Sequence, residues 1–174
     1  MSAKPYVCFS HGKESGPWGS KIAAMAEVAR DRGLAVDSVD YRGVDDPRAR
    51  VEKLVTHCAP LGCPLLLVGS SMGGHVAAAA SARLPDVRGL FLLAPAFFMP
   101  GYEEHTPVPQ AGHIAIVHGW RDDIVPPENS VRFAREYRAS LHMIDGDHRL
   151  TEQIYDINRF FNWFLDDLAG VRDR

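Results

Sequence analysis

Six short runs, YVCFS, LAVDSVD, PLLLVG, GLFLLAP, HIAIVHG and SLHMID, recur along the chain with helix-type patterning between them. Several are apolar at every position. A strand with one face in water alternates apolar and polar residues, whereas a continuously apolar strand is one covered on both faces. Between the runs, apolar residues fall at helical spacing: Ile22, Met25, Ala26 and Ala29 in one segment, Val51, Leu54, Val55 and Cys58 in the next. The last segment repeats the habit with Ile154, Ile157, Phe161, Phe164, Leu165 and Leu168. Strand and helix alternating from end to end predict an α/β fold: a mainly parallel sheet of about six strands with helices on both faces. Ligands of such sheets bind at the carboxyl ends of the strands.

The 174 residues, 46% hydrophobic and 24% charged, suit one globular domain over residues 1–174, and neither repeats nor a linker divide them. A net charge of −3 with interspersed signs leaves no basic stripe for a phosphate backbone, so nucleic acid is not an expected partner. No apolar run approaches the roughly 18 residues of a membrane helix, and the first dozen residues lack a signal-peptide pattern. Three cysteines, Cys8, Cys58 and Cys63, form no C-x-x-C pair, which fits a reducing, cytoplasmic setting better than a disulfide framework. The aromatic cluster Phe160, Phe161, Trp163 and Phe164 reads as core and shoulder packing, with a homodimer contact as the alternative. The longest irregular stretch, AFFMPGYEEHTPVPQAG at 96–112, reads as a reduced lid, a substrate-contacting loop or a plain surface connection.

The run PLLLV stops at Gly69 and is followed by Ser70, Ser71, Met72, Gly73 and Gly74 before an Ala-rich helical stretch begins. Gly69 to Gly73 matches G-x-S-x-G, a modest signal alone but a stronger one between a buried strand and a small-faced helix. A turn that sharp forces its middle residue into an unfavourable backbone conformation, and it needs glycines where a Cβ would strike neighbouring backbone. Ser71, not Ser70, is then the exposed apex, standing at a helix start where free N–H groups favour negative charge. The bland alternative is a glycine-lined turn with incidental serines. A serine nucleophile also requires a histidine base and an orienting carboxylate. Asp122 lies on the loop after HIAIV, in HGWRDDIVP, and His148 on the loop after SLHMI, in DGDHRL.

These landmarks resemble the α/β-hydrolase superfamily, in particular its small single-domain esterase-type members with little or no lid. FSHGKESG looks like the family's strand-HG-x loop, GSSMGG like its nucleophile elbow, HGWRDDIVP like its acid loop and GDHRL like its histidine loop. The resemblance implies Ser71 as nucleophile, His148 as base and Asp122 as acid, the last matched through G-x-x-D-x-x-V-P at Gly119, Asp122, Val125 and Pro126. Asp123 is the neighbouring rival. The oxyanion amides it implies are those of Met72 and Lys13. The leading hairpin of larger relatives is missing ahead of the first strand, and no helical cap fits into 96–112.

The implied activity is hydrolysis of carboxylic esters or thioesters of small acyl substrates through an acyl-enzyme, with no metal or organic cofactor. Amide or peptide hydrolysis by the same triad, and a non-catalytic ligand-binding protein on the same fold, are the alternatives. Among the other polar residues, His75 reads as packing or surface, His118 as satisfied by neighbouring backbone, and His11 as support for the oxyanion loop. Glu103-Glu104-His105 and Asp145 to His148 look faintly like metal clusters but lack zinc-site spacing. Lys13, Glu14, Trp18 and Trp120 fall on loops at the expected pocket. The basic residues of PRARVEKL read as a solvated helix face.

Overall fold

The computed structural model describes residues 3–102 and 107–170. Six strands, β1 (Tyr6–Ser10), β2 (Ala35–Val39), β3 (Leu65–Ser70), β4 (Val87–Leu93), β5 (His113–Gly119) and β6 (Ser140–Ile144), form one sheet in the order β2-β1-β3-β4-β5-β6. Every adjacent pair is parallel. Five α-helices connect or follow them: α1 (Ser20–Asp31), α2 (Pro47–Cys58), α3 (Met72–Ser81), α4 (Pro127–Tyr137) and α5 (Ile154–Gly170). The described residues include no cap domain, and none of their helices is long and apolar enough to cross a membrane.

The continuous apolar runs have the explanation expected of them. Odd and even strand residues serve two separate cores, one on each face of the sheet. Cys8, Leu65, Leu67, Leu90, Leu92 and Ile116 meet α2, α3 and α4, whereas Val7, Phe9, Leu66, Val68, Phe91 and Val117 meet α1 and α5. On the second face Phe91 lies 5.1 Å from Phe161 and 5.4 Å from Phe164, ring centre to ring centre. The aromatic cluster divides accordingly. Phe161 and Phe164 enter the core, Phe160 stacks on His142, and Trp163 remains exposed. All three cysteines are free thiols.

From β1 the chain steps to β2 on one side, then crosses back to β3 on the other, so the connections diverge between β1 and β3. A crevice opens outside the carboxyl ends of strands at such a point. The two strands are in register there, with Ser10 beside Gly69.

Candidate active site

Four loops meet at this crevice. The first, the β3 to α3 turn, carries Ser71 in the left-handed half of backbone space, at φ 54° and ψ −120°. A non-glycine residue is strained there and stays only if its surroundings hold it. They do so through the backbone: Ser71 N–H donates to Leu93 O at 2.9 Å, and Ser71 O accepts from Gly74 at 3.0 Å and Ala96 at 3.0 Å. A Cβ on Gly73 would lie 1.9 Å from Ser10 O, and one on Gly69 would lie 2.3 Å from Gly73 O. Only glycine lets helix α3 start this close to β1. The turn aims the side chain of Ser71 out of the sheet edge.

The histidine loop after β6 brings His148 Nε2 to 3.0 Å from Ser71 Oγ. Its position is fixed from two sides: Leu150 N–H donates to Asp147 Oδ1 at 3.0 Å, and Lys21 Nζ on α1 donates to Arg149 O. On the opposite side of the imidazole, His148 Nδ1 lies 2.7 Å from Asp122 Oδ2. The acid loop after β5 closes tightly on the histidine loop, because Gly119 lacks a Cβ that would stand 2.1 Å from Gly146 O.

Asp122 is enclosed by donors. Ile124 and Val125 N–H donate to its Oδ1 at 2.9 and 2.8 Å, and His118 Nε2 lies 3.0 Å from its Oδ2. Burial alone would raise its pKa; the bonds from His118, His148, Val125 and Ile124 overcome that and hold the carboxyl well below the usual carboxylate range. Asp123, by contrast, points into solvent.

The loop after β1 flanks the serine on the other side. A Cβ on Gly12 would be 3.4 Å from Ser71 Cβ, which places the turn of His11, Gly12 and Lys13 beside the hydroxyl. The amides of Met72 and Lys13 find no acceptor among the described residues. His11 is wholly buried, with Nδ1 2.7 Å from Gly12 O and Nε2 accepting from Tyr41 N–H at 2.8 Å, so it supports the loop from below. Burial lowers its pKa and keeps it neutral in that role.

Two polar residues behave differently from their sequence reading, and a third was not read at all. Arg50, grouped above with a solvated helix face, is 1% exposed. It donates to Val44 O at 2.6 Å and through Nη1 to His11 O at 3.2 Å and Gly12 O at 3.3 Å, with Tyr41 under the guanidinium at 5.1 Å. The overlooked signal is its spacing, since Arg50 stands four residues before Leu54 on the inward face of α2. His118 is satisfied mainly by side chains, Asp122 and Ser130, with Val125 O as its one backbone contact. Its separation of four residues from Asp122 was the available clue. Lys21 carried no sequence signal, because its partner Arg149 lies 128 positions away.

His75 is a packing residue, 4% exposed, with its ring tilted against Tyr102 at 4.6 Å between centroids, and pushed down to about 4 by burial. Lys13, Glu14, Trp18 and Trp120 are all exposed, Trp18 beneath the Arg30 guanidinium. Glu103, Glu104 and His105 lie outside the described residues. No three His, Cys, Asp or Glu side chains among the described residues are grouped so as to hold a metal ion.

The sequence profile of the alpha/beta hydrolase family matches residues 8–173. The chain belongs to this family. Among solved structures it resembles a protein of the alpha/beta hydrolase superfamily from Xanthomonas campestris pv. campestris, at 31% identity over 94% of this chain and 99% of that one, with a TM-score of 0.84. Mouse alpha/beta hydrolase domain-containing protein 10 shares the fold at 23% identity, 97% and 92% coverage and a TM-score of 0.77. Est1E from Butyrivibrio proteoclasticus does so at 18% identity, 98% and 90% coverage and a TM-score of 0.79. No curated protein matches the chain.

Proposed function

We propose that this protein is a serine hydrolase that cleaves carboxylic esters or thioesters of small acyl substrates. The observation that carries the reading is the unbroken line from Ser71 Oγ to His148, 3.0 Å, and from His148 to Asp122, 2.7 Å, at a strained turn. In the proposed cycle His148 Nε2 accepts the Ser71 proton as Oγ attacks the acyl carbonyl, and Asp122 holds the Nδ1–H and stabilises the imidazolium. The tetrahedral oxyanion is bound by the free amides of Met72 and Lys13, each such donor contributing about 3 kcal/mol in comparable sites. His148 then passes its proton to the departing alkoxide or thiolate. Water, deprotonated by the same imidazole, attacks the acyl-enzyme and releases the acid.

Est1E, which shares the fold, has a solved structure with ferulic acid bound, so a feruloyl ester belongs among the substrates tried. The first test is intact mass after incubation with a fluorophosphonate. A single adduct on the wild type and on Ser70→Ala, lost in Ser71→Ala, is the expected result; a folded wild type that takes no adduct sinks the reading. Matched nitrophenyl ester, acyl-CoA and anilide substrates then separate esterase, thioesterase and amidase.

A further inference from the structure

The acid of the line has two imidazoles on one oxygen. His118 Nε2 lies 3.0 Å from Asp122 Oδ2, the same atom that His148 Nδ1 approaches to 2.7 Å. The other oxygen is already taken by two backbone amides. His118, Ser130 and the Asp122 side chain are wholly buried, so no solvent competes for these bonds. Nε2 of His118 also faces Val125 O at 3.0 Å, and between two acceptors that nitrogen must carry the proton. Nδ1 is then left to accept from the Ser130 hydroxyl, 2.6 Å away, which fixes the tautomer. Five side chains thus form one hydrogen-bonded row: Ser71, His148, Asp122, His118, Ser130.

We propose that His118 is a positioning residue that sets how strongly Asp122 holds the proton of His148. The proposal rests on the triad reading above. A carboxylate oxygen that accepts two N–H groups is a weaker acceptor towards each. His118 therefore pins Oδ2 in line with His148 while drawing off part of its charge, so the imidazolium is oriented without being overstabilised. A residue that merely filled space beneath the acid loop would fix the fold but leave the titration of His148 alone. Lys21 from α1 acts on Asp122, and Asp147 and Arg149 of the histidine loop act in turn on Lys21; all three stay constant in the variants below.

The test uses the full chain with His118→Met, which keeps volume but has no donor, His118→Gln, whose amide nitrogen reaches the place of Nε2, and Ser130→Ala. The imidazole of His148 is titrated by ¹⁵N NMR, a readout that needs no turnover. In His118→Met its midpoint moves up by about half to one pH unit, the shift expected for one lost hydrogen bond. In His118→Gln it returns to the wild-type value, and Ser130→Ala gives a smaller upward shift. The acid limb of kcat/KM for a nitrophenyl ester moves in parallel. In His118→Met kcat falls about tenfold at neutral pH while KM is unchanged. Equal midpoints in the wild type, His118→Met and Ser130→Ala, or equal shifts in the Met and Gln variants, overturn the proposal. Should His118→Met fail to fold, Ser130→Ala decides it alone. Failure of the triad reading shows separately, as turnover that survives Ser71→Ala.

Discussion

Replacing Asp122 by Asn keeps the shape of the side chain but turns one acceptor oxygen into a donor, and the Oδ2 position faces both His148 Nδ1 and His118 Nε2. The structure dictates how the amide must sit. Ile124 and Val125 both present N–H groups to Oδ1, at 2.9 and 2.8 Å, so the Asn carbonyl takes that place and its NH2 takes the place of Oδ2. His148 Nδ1, 2.7 Å away, must then accept, which puts the imidazole proton on Nε2, pointing at Ser71. The serine loses its base. Flipping the amide would forfeit two hydrogen bonds of about 1 kcal/mol each but keep the one from His118, a net cost of about 1 kcal/mol, so the competent arrangement holds about one molecule in six. Loss of the charge-assisted bond to the imidazolium removes a further 1.5–3 kcal/mol or so, another ten- to hundredfold. Together kcat/KM is expected to fall about two-hundredfold, measured with a nitrophenyl ester and, independently, as the rate of fluorophosphonate labelling. Asp123→Asn, exposed beside it, should leave both unchanged. A loss of less than tenfold in Asp122→Asn, or an equal loss in Asp123→Asn, would refute the reasoning.

Two further outcomes follow from the packing. Gly73→Ala sets a Cβ 1.9 Å from Ser10 O, against backbone that cannot swing aside, so the turn itself must yield. We expect the melting temperature to drop by about 5–10 °C and kcat/KM by about a hundredfold, whereas Gly170→Ala, in open space, changes neither. Lys21 is lowered to about 8, first by burial, with Asp147 and Asp122 opposing. Between that value and the ordinary lysine range near 10.4 the unfolded chain binds the extra proton, so stability rises with pH across this window. Differential scanning fluorimetry from pH 7 to 10 should show the melting temperature of the wild type climbing relative to Lys21→Met. A difference that is flat with pH would contradict the burial argument.

The four inner strands were legible because two-sided burial writes itself into sequence as nearly unbroken apolar runs, whereas the edge strands β2 and β6 are only partly buried and carry polar residues; all six lie where the runs predict. Helix α4 was not read, and its composition explains why. Its buried positions are Pro127, Ser130, Phe133 and Ala134, a stripe with only one large apolar residue. Ser71, His148 and Asp122, picked out from their places at strand ends and from the family resemblance, are brought within hydrogen-bond distance of one another. What escaped were contacts between polar residues far apart in the chain. Arg50 meets His11 and Gly12 across 39 and 38 positions, and no local pattern distinguishes such an arginine from a solvated one until its helical face is counted.

The missing side chains at Gly73 and Gly119 have a mechanical consequence. Gly73 seats helix α3 on the end of β1, and Gly119 seats the acid loop on the histidine loop, so the crevice is walled by two stiff blocks. One carries the serine and the free amides; the other carries the imidazole and its carboxylate. Between the two blocks Ser71 Oγ meets His148 Nε2 across a 3.0 Å hydrogen bond. Substitutions confined to one block should couple energetically to those in the other only through that gap. Side chains on the outer rim, such as Lys13, Trp18, Trp120 and Ile124, are exposed and lie outside both blocks' packing, so under the proposed function substrate choice is free to drift there without disturbing the residues beneath.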